Sequence, residues 1–565
     1  MIMIYMRGRV LVEYKVHLKN LKTNQIIKIY KTSKDTLRVA NLILNNKFHF
    51  FNSLDVIDFK EGIDWNYRHH TAPDTYQLYM HALNVLCHLL NAYEQTNDEK
   101  YIEKAKEIFL SWMNYEKTKP NNKMLWYDHP TAYRTHNLVY LALIAKEKLP
   151  IKEEEYIELL VTHGKYLFDD NNYHKNNHGI MMDRALIMLG IILDHPESDR
   201  WIEKGIWRLK DTFYFSYSQQ GVHLENSPEY HRIVRNLYKS IENFLNKNGL
   251  TLGEDVVRRM EMSDEYFKYI VKPNGLTPAI GDSGLLPIGA QNKIYESFHD
   301  QVAGITVMQS KDDNNPEDST WLSFVCGYGT TTHKHYDDLS VNIFYKGRDI
   351  LVDPGKYSYG RSPVRSYVIS PQAHNTIAFP NERYTFDKFQ GASRKIKTTS
   401  FVSTHKMDMV QGINGGYEDV LFKRTVIFLK PNIVIILDEI LSDNFVDVSQ
   451  YFNLAPHIEI QEIMDSKIRM TSDNEIIEFE QINDIDNVNI HKGQINPPKA
   501  IISEQFGKTT EINQLEFSKN VNSDYFLTAI KLGEEAIDTF NFASFDKVNR
   551  LISIEVGNKI IRFYV

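Results

Sequence analysis

The spacing of apolar residues changes once along this chain, and that change limits the folds open to it. From about residue 75 to about residue 273 apolar side chains recur every three or four positions, as in "YIEKAKEIFLSWMNYEK" and "WIEKGIWRLKDTFYFSY". That is the repeat of an amphipathic helix. Short polar links such as "KTKPNNK" and "DHPESDR" join these segments. Long helices on short links lie antiparallel to their neighbours, so stacked helical hairpins are expected. After "VKPNGLTPAIGDSG" the repeat falls to two. "WLSFVCGYG", "LSVNIFYKGRDILVD" and "RLISIEVGNKIIRFYV" are short β-type runs broken by turn residues. "VIFLKPNIVIILDEI" reads as a hairpin turning at Lys430, Pro431 and Asn432.

A chain of 565 residues is too long for one ordinary core. The expected order is a segment of uncertain structure over 1–60, a helical domain over 61–300 and an antiparallel β-sandwich over 301–565. Within the first segment "RVLVEYKVHLK" suits a strand or a helix. The formal charge of −8 offers no cationic field to nucleic acid or to an acidic membrane. A polyanionic ligand would have to be gathered by a local basic cluster. Cys87 and Cys326 sit in apolar runs and read as buried thiols, not as a disulfide framework. Charges interrupt every apolar run of the opening residues, and no stretch approaches about 18 uncharged apolar residues. A cytoplasmic chain is expected, or a periplasmic or secreted one if a leader has been removed.

Four clusters carry candidate chemistry. In "TTHKHYDDLSVNIFYKGRDILVDPG" His333 and His335 are two apart, which on a strand points both to one side. A strand, a tight turn and a return strand would bring Asp353 back beside them, and His374 follows in "AHNT". Two imidazoles and a carboxylate suit Zn²⁺; hydrogen-bonded sandwich histidines fit the same spacing. In "YHKNNHGIMMDRALIMLG" Asn176, Asn177 and His178 precede an apolar helix, and capping accounts for only one asparagine. In "GVHLENSPEYHRIVRNLY" Asn226 or Ser227 is the cap and Pro228 the first turn. Tyr230 and His231 then lie at the helix mouth, where the dipole favours a phenolate, although Tyr230 could equally pack on a neighbouring hairpin. In "MLWYDHPTAYRTHNL" Trp126, Asp128 and Arg134 suit either an Arg–Asp loop anchor or a sugar-stacking, anion-binding group.

The ordered set "DWNY", "WYDHPTAYR", "NNHG", "ENSPEYH", "HKHYDDLS…DPGKYSY" and "AHNT" resembles the heparinase II/III family of polysaccharide lyases, over about residues 60 to 380. The resemblance implies an N-terminal (α/α) toroid, an incomplete barrel, followed by antiparallel β-sheets. It implies β-elimination on a uronic-acid polysaccharide, leaving a 4,5-unsaturated uronate end. It assigns Asn177 with His178 to carboxylate neutralisation, Tyr230 and His333 to acid–base work, and His335, Asp353 and His374 to zinc. The zinc is expected to be structural, because elimination needs no activated water. Trp126, Arg134, Glu225, His231 and Arg361 are expected to hold substrate, and Tyr230 to have a lowered pKa. The expected partner is an acidic polysaccharide or oligosaccharide, with no nucleic acid and no membrane. Two other readings use the same residues: a glycoside hydrolase built on Glu225, Glu229 or Asp128, and a non-catalytic acidic-glycan binder.

Overall fold

The computed structural model describes residues 2–5, 11–14, 16–19, 21–50, 54–70, 72–145, 148–327, 329–380, 384, 392–464 and 466–565. It divides into two compact units. The first comprises Met1–Phe215 with Asn236–Val257, and the second Ser216–Arg235 with Arg258–Val565. In the opening segment, the described residues of "RVLVEYKVHLK" include strands Leu11–Tyr14 and His17–Leu18.

The helices run α1 Thr36–Leu44, α2 Pro73–His81, α3 Asn84–Thr96, α4 Glu99–Lys117, α5 Asp128–Ala145, α6 Glu153–Phe168, α7 Asn177–Ile192, α8 Ser198–Ser216, α9 Pro228–Lys247 and α10 Glu254–Ile270. Among the described residues they make an open helical toroid, with no closed barrel. Helix α4 shows how the sequence encodes them. Asp98 caps it by accepting from the Lys100 amide, and Lys117 ends it beside the negative pole of the helix. Its buried residues Tyr101, Ile102, Ala105, Ile108, Phe109 and Trp112 keep the three–four spacing.

Helix α5 has no solvent side, since nearly every residue from Asp128 to Ala145 is buried. Its polar side chains are spent inside the unit. Arg134 Nη1 donates to the His81 carbonyl at 2.6 Å, and Asn137 donates to the carbonyls of Ala82 at 2.9 Å and Leu83 at 3.2 Å. These lie at the end of α2, where carbonyls lack a partner within the helix. In α7 the position of Gly179 admits no side chain, because a Cβ there would lie 2.1 Å from the His174 carbonyl oxygen.

The second unit is built of antiparallel sheets. Strands Phe298–Asp300, Ile305–Ser310, Thr320–Val325, Ser340–Tyr345 and Arg348–Leu351 follow one another across a five-stranded sheet. An eight-stranded sheet carries the hairpin read from the sequence, with Val420–Leu429 paired to Ile433–Ser442 and Leu429 opposite Ile433. The run "IVIIL" is apolar on both faces because it serves two cores. Val434 and Ile436 join the main core, while Ile433, Ile435 and Leu437 face a smaller one under the C-terminal strands. Cys87 and Cys326 are buried free thiols. No helix among the described residues is long and apolar enough to cross a membrane.

Candidate functional site

In the helical unit, Asn176 is the cap of α7. Its Oδ1 accepts from the amides of His178 at 2.9 Å and Gly179 at 3.1 Å. Asn177 is half-buried, and its Oδ1 also accepts from the His178 amide, at 3.1 Å. His178 keeps 27% of its side chain exposed and sets Nδ1 3.0 Å from Asp128 Oδ1. Asp128, the first residue of α5, accepts in addition from the His129 amide at 2.5 Å. Burial pushes the Asp128 carboxyl up, but the hydrogen bond and charge of His178 outweigh it and hold the group below the usual carboxylate range. An aspartate fixed on one ring nitrogen leaves the other to face a ligand.

Trp126 is half-buried and donates Nε1 to Glu116 at 3.3 Å, with the Arg134 guanidinium 5.0 Å from its ring. The substrate-holding role expected of Arg134 does not fit. Its side chain is 0% exposed and, besides the His81 carbonyl, donates Nε to the His163 ring at 2.9 Å. His231 is corrected in the same way. It is wholly buried, accepts from the His223 amide at Nδ1 (3.0 Å) and faces Ser263 through Nε2. Burial lowers its pKa to about 3, so it is a neutral core imidazole.

In the β-rich unit, Ser227 caps α9 by accepting from the Tyr230 amide at 3.2 Å, and Pro228 opens the helix. The Tyr230 ring stacks on His333, centroid to centroid 3.5 Å and 20° from parallel. His333 and His335 do not share the face of a strand. They lie in a loop ahead of strand Ser340–Tyr345, and His333 takes φ +56°, which breaks the extended alternation. Strain of this kind in a non-glycine residue needs support from its surroundings. Asn226 provides it, donating Nδ2 to the carbonyls of Thr330 and Thr332 at 3.0 Å each.

What joins the two histidines is Asp282. Its Oδ2 lies 3.0 Å from His333 Nδ1 and its Oδ1 3.0 Å from His335 Nε2, and Arg365 Nη1 donates to Oδ1 at 2.5 Å. Burial opposes the charge, but these donors hold the carboxyl far below its ordinary value. Sequence reasoning missed Asp282 because "AIGDSG" reads as a linker. The available signal was Gly281, at φ +56°, where a Cβ would meet the Asn226 carbonyl oxygen at 2.4 Å. Tyr359 was missed too; its hydroxyl lies 3.0 Å from that of Tyr230.

Around this centre, Glu225 Oε2 is 3.6 Å from His333 Nε2, and burial pushes its carboxyl up. Arg361 is exposed, whereas Arg365 points inward to Asp282 and to the Lys356 carbonyl, 2.8 Å away. The lowered pKa expected of Tyr230 is corrected. Burial raises it, the Tyr359 hydrogen bond only partly offsets this, and Asp282, Glu229 and Glu225 add to the rise. The helix mouth does not outweigh burial and these carboxylates.

His335, Asp353 and His374 are all buried, with ligand atoms within 4.8 Å of one another. Strand Ser340–Tyr345 and its return Arg348–Leu351 bring Asp353 back as the spacing predicts. Among the described residues His335 Nδ1, Asp353 Oδ1 and His374 Nε2 have no hydrogen-bond partner. An unpartnered buried polar atom on each of three clustered ligand-type residues is costly as it stands, and the set fits a bound metal ion. The outer contact of His335 to Asp282 is the kind that orients a metal-bound imidazole.

Comparison with known proteins agrees with this architecture. The model of the heparinase II/III N-terminus matches residues 2–305, and that of the heparinase II/III-like C-terminal region matches 295–539. A heparin-sulfate lyase of Bacteroides thetaiotaomicron is 21% identical over 469 residues, covering 72% of this chain and 65% of its own length. The chain thus matches just under two thirds of that relative. Among solved structures, a heparinase III superposes with a TM-score of 0.79 at 17% identity, over 96% of this chain and 93% of its own. The heparan sulfate lyase HepC of Pedobacter heparinus gives 0.69 at 16%, over 95% and 90%. At such identities the likeness is one of fold.

Proposed function

The chain belongs to the heparinase II/III family, whose two models together span residues 2 to 539, and on that premise we propose that it is a lyase cleaving a glycosaminoglycan-like, uronic-acid polysaccharide by β-elimination. The observation that carries the reading is the stacked Tyr230–His333 pair, with His333 Nδ1 held by Asp282. The names of the lyases it resembles point to heparan-type chains as the first substrates to try.

The difficulty of the reaction is the C5 proton of the uronate, which is not acidic while the neighbouring carboxylate carries its full charge. The family resemblance assigns Asn177 and His178 to that carboxylate, where their hydrogen bonds would stabilise the charge that develops on it. His333 removes the C5 proton. Asp282 accepts from Nδ1–H, which leaves the lone pair on Nε2. Tyr230 protonates the departing O4. Its raised pKa keeps the phenol protonated at neutral pH, which suits an acid rather than a base. The elimination is then complete without water as nucleophile.

His335, Asp353 and His374 would hold Zn²⁺, the ion that a two-imidazole, one-carboxylate set favours. When bound, the ion supplies a fixed positive centre that locks the three side chains together. The sugar chemistry is left to His333 and Tyr230.

The test is ultraviolet absorbance of the unsaturated product, read on a panel of uronic-acid polymers. Wild-type enzyme should produce it and Tyr230→Phe should not. Chain shortening without absorbance would indicate hydrolysis instead, and a Tyr230→Phe enzyme retaining most of its rate would remove the acid assignment.

A further inference from the structure

We propose that Tyr359 returns a proton to Tyr230 after each turnover, linking the half-buried phenol to solvent; this rests on the acid role given to Tyr230 above. The two hydroxyl oxygens are 3.0 Å apart, within hydrogen-bonding distance. Tyr359 is 52% exposed, whereas Tyr230 is half-buried. One phenol therefore touches both water and the proposed acid. Its ring stands 6.1 Å from Phe506 and meets His333 edge-on at 6.1 Å.

The stacking closes the direct route from the base. A Tyr230 that has protonated O4 is left as a phenolate. His333 lies nearly parallel to it at 3.5 Å, and the N–H bonds of an imidazole lie in its own plane. Nδ1 is turned to Asp282 at 3.0 Å, and Nε2 looks toward Glu225 at 3.6 Å. Neither nitrogen aims its hydrogen at a hydroxyl on the stacked ring, so the proton taken from C5 does not pass straight across. Tyr359 is already in line. Burial and the neighbouring Tyr230 hold the Tyr359 phenol well above its ordinary value, so it does not rest as a phenolate: its Oη–H bond breaks as the Tyr230 Oη–H bond forms, and a water proton passes to the Tyr359 oxygen in the same step. The proton gained from solvent equals the one His333 gives up to it, so a turnover consumes none. In the resting state the same contact, with Tyr359 as donor, leaves the Tyr230 hydrogen free to point at O4.

Rapid-mixing absorbance on a heparan-type tetrasaccharide tests this. With enzyme in excess, Tyr359→Phe should form product within about tenfold of the wild-type rate, the worth of one neutral hydrogen bond. With substrate in excess it should release about one product per enzyme and then turn over at least about a hundredfold more slowly. Deuterated solvent should slow that second phase and not the first. Tyr359→His, which restores a proton carrier on a ring, should recover much of the steady rate. Equal losses in both regimes would make Tyr359 a simple contact and overturn the relay, as would an unchanged steady rate. A wild-type enzyme forming no absorbing product from any acidic polymer would instead defeat the lyase reading on which the relay rests.

Discussion

Replacing Asp128 by asparagine should disable His178 while leaving the fold intact. The side chain is nearly isosteric and can still accept from the His129 amide, but the charge that anchors His178 Nδ1 at 3.0 Å is gone. A hydrogen bond to a charged group contributes about 1.5–3 kcal/mol. At about 1.36 kcal/mol per tenfold in rate, the lyase rate should fall about 10- to 160-fold, read as initial ultraviolet absorbance. The loss must act through the ring. Adding the substitution to His178→Ala should therefore cost almost nothing further. Stability supplies an independent check. The folded Asp128 carboxyl titrates below its unfolded value, so its contribution is present at neutral pH. It is lost as pH falls below about 4 and through the folded value. The gap in urea stability between wild type and Asp128→Asn should hold near pH 7 and close on acidification. A rate within twofold of wild type, full additivity with His178→Ala, or a gap that widens in acid would refute the reasoning.

Asp282→Ala leaves the Arg365 cation, 16% exposed, without its counter-charge. It should cost about 3–5 kcal/mol in urea denaturation, with near-complete loss of lyase rate. Chelation should lower the thermal midpoint, and returned Zn²⁺ should restore it in wild type but not in His374→Ala; metal bound per chain, measured by atomic spectroscopy, should fall from about one to near zero. Gly179→Ala pushes a methyl against the His174 carbonyl and should destabilise by about 1–3 kcal/mol, which a shift in urea midpoint would reveal.

The elements that follow local rules were readable from the chain alone. The change of repeat marks the change from helix to strand, and the hairpin at Pro431 turns where β-branched runs flank a proline. The strand–turn–strand count returns Asp353 to the histidines. Contacts set by tertiary structure were not readable. Arg134 looks like a ligand-binding cation because two of its partners, the His81 carbonyl at the end of α2 and the His163 ring, lie far off in the sequence and carry no signature of their own. His231 follows the helix-mouth pattern as well as Tyr230 does, and only the turn of the helix decides which of two adjacent residues faces inward. The pKa of Tyr230 depends first on burial and then on carboxylates from its own stretch and from Asp282, about fifty positions on, so no local rule gives its sign. Asp282 sits in a glycine-flanked stretch whose backbone crowding appears only once Asn226 lies against it.

Asn226 stands four positions before the proposed acid, and its amide fastens the loop that carries the proposed base. Acid and base are thus gauged against each other across a single turn of chain, like two jaws cut from one block. Lengthening or shortening the connections farther out, as between strands Ile305–Ser310 and Thr320–Val325, leaves that gauge untouched. A single residue inserted between Cys326 and His333 would throw it out of true. Variation that alters which polymer is gripped can therefore accumulate around the pair without resetting the chemistry.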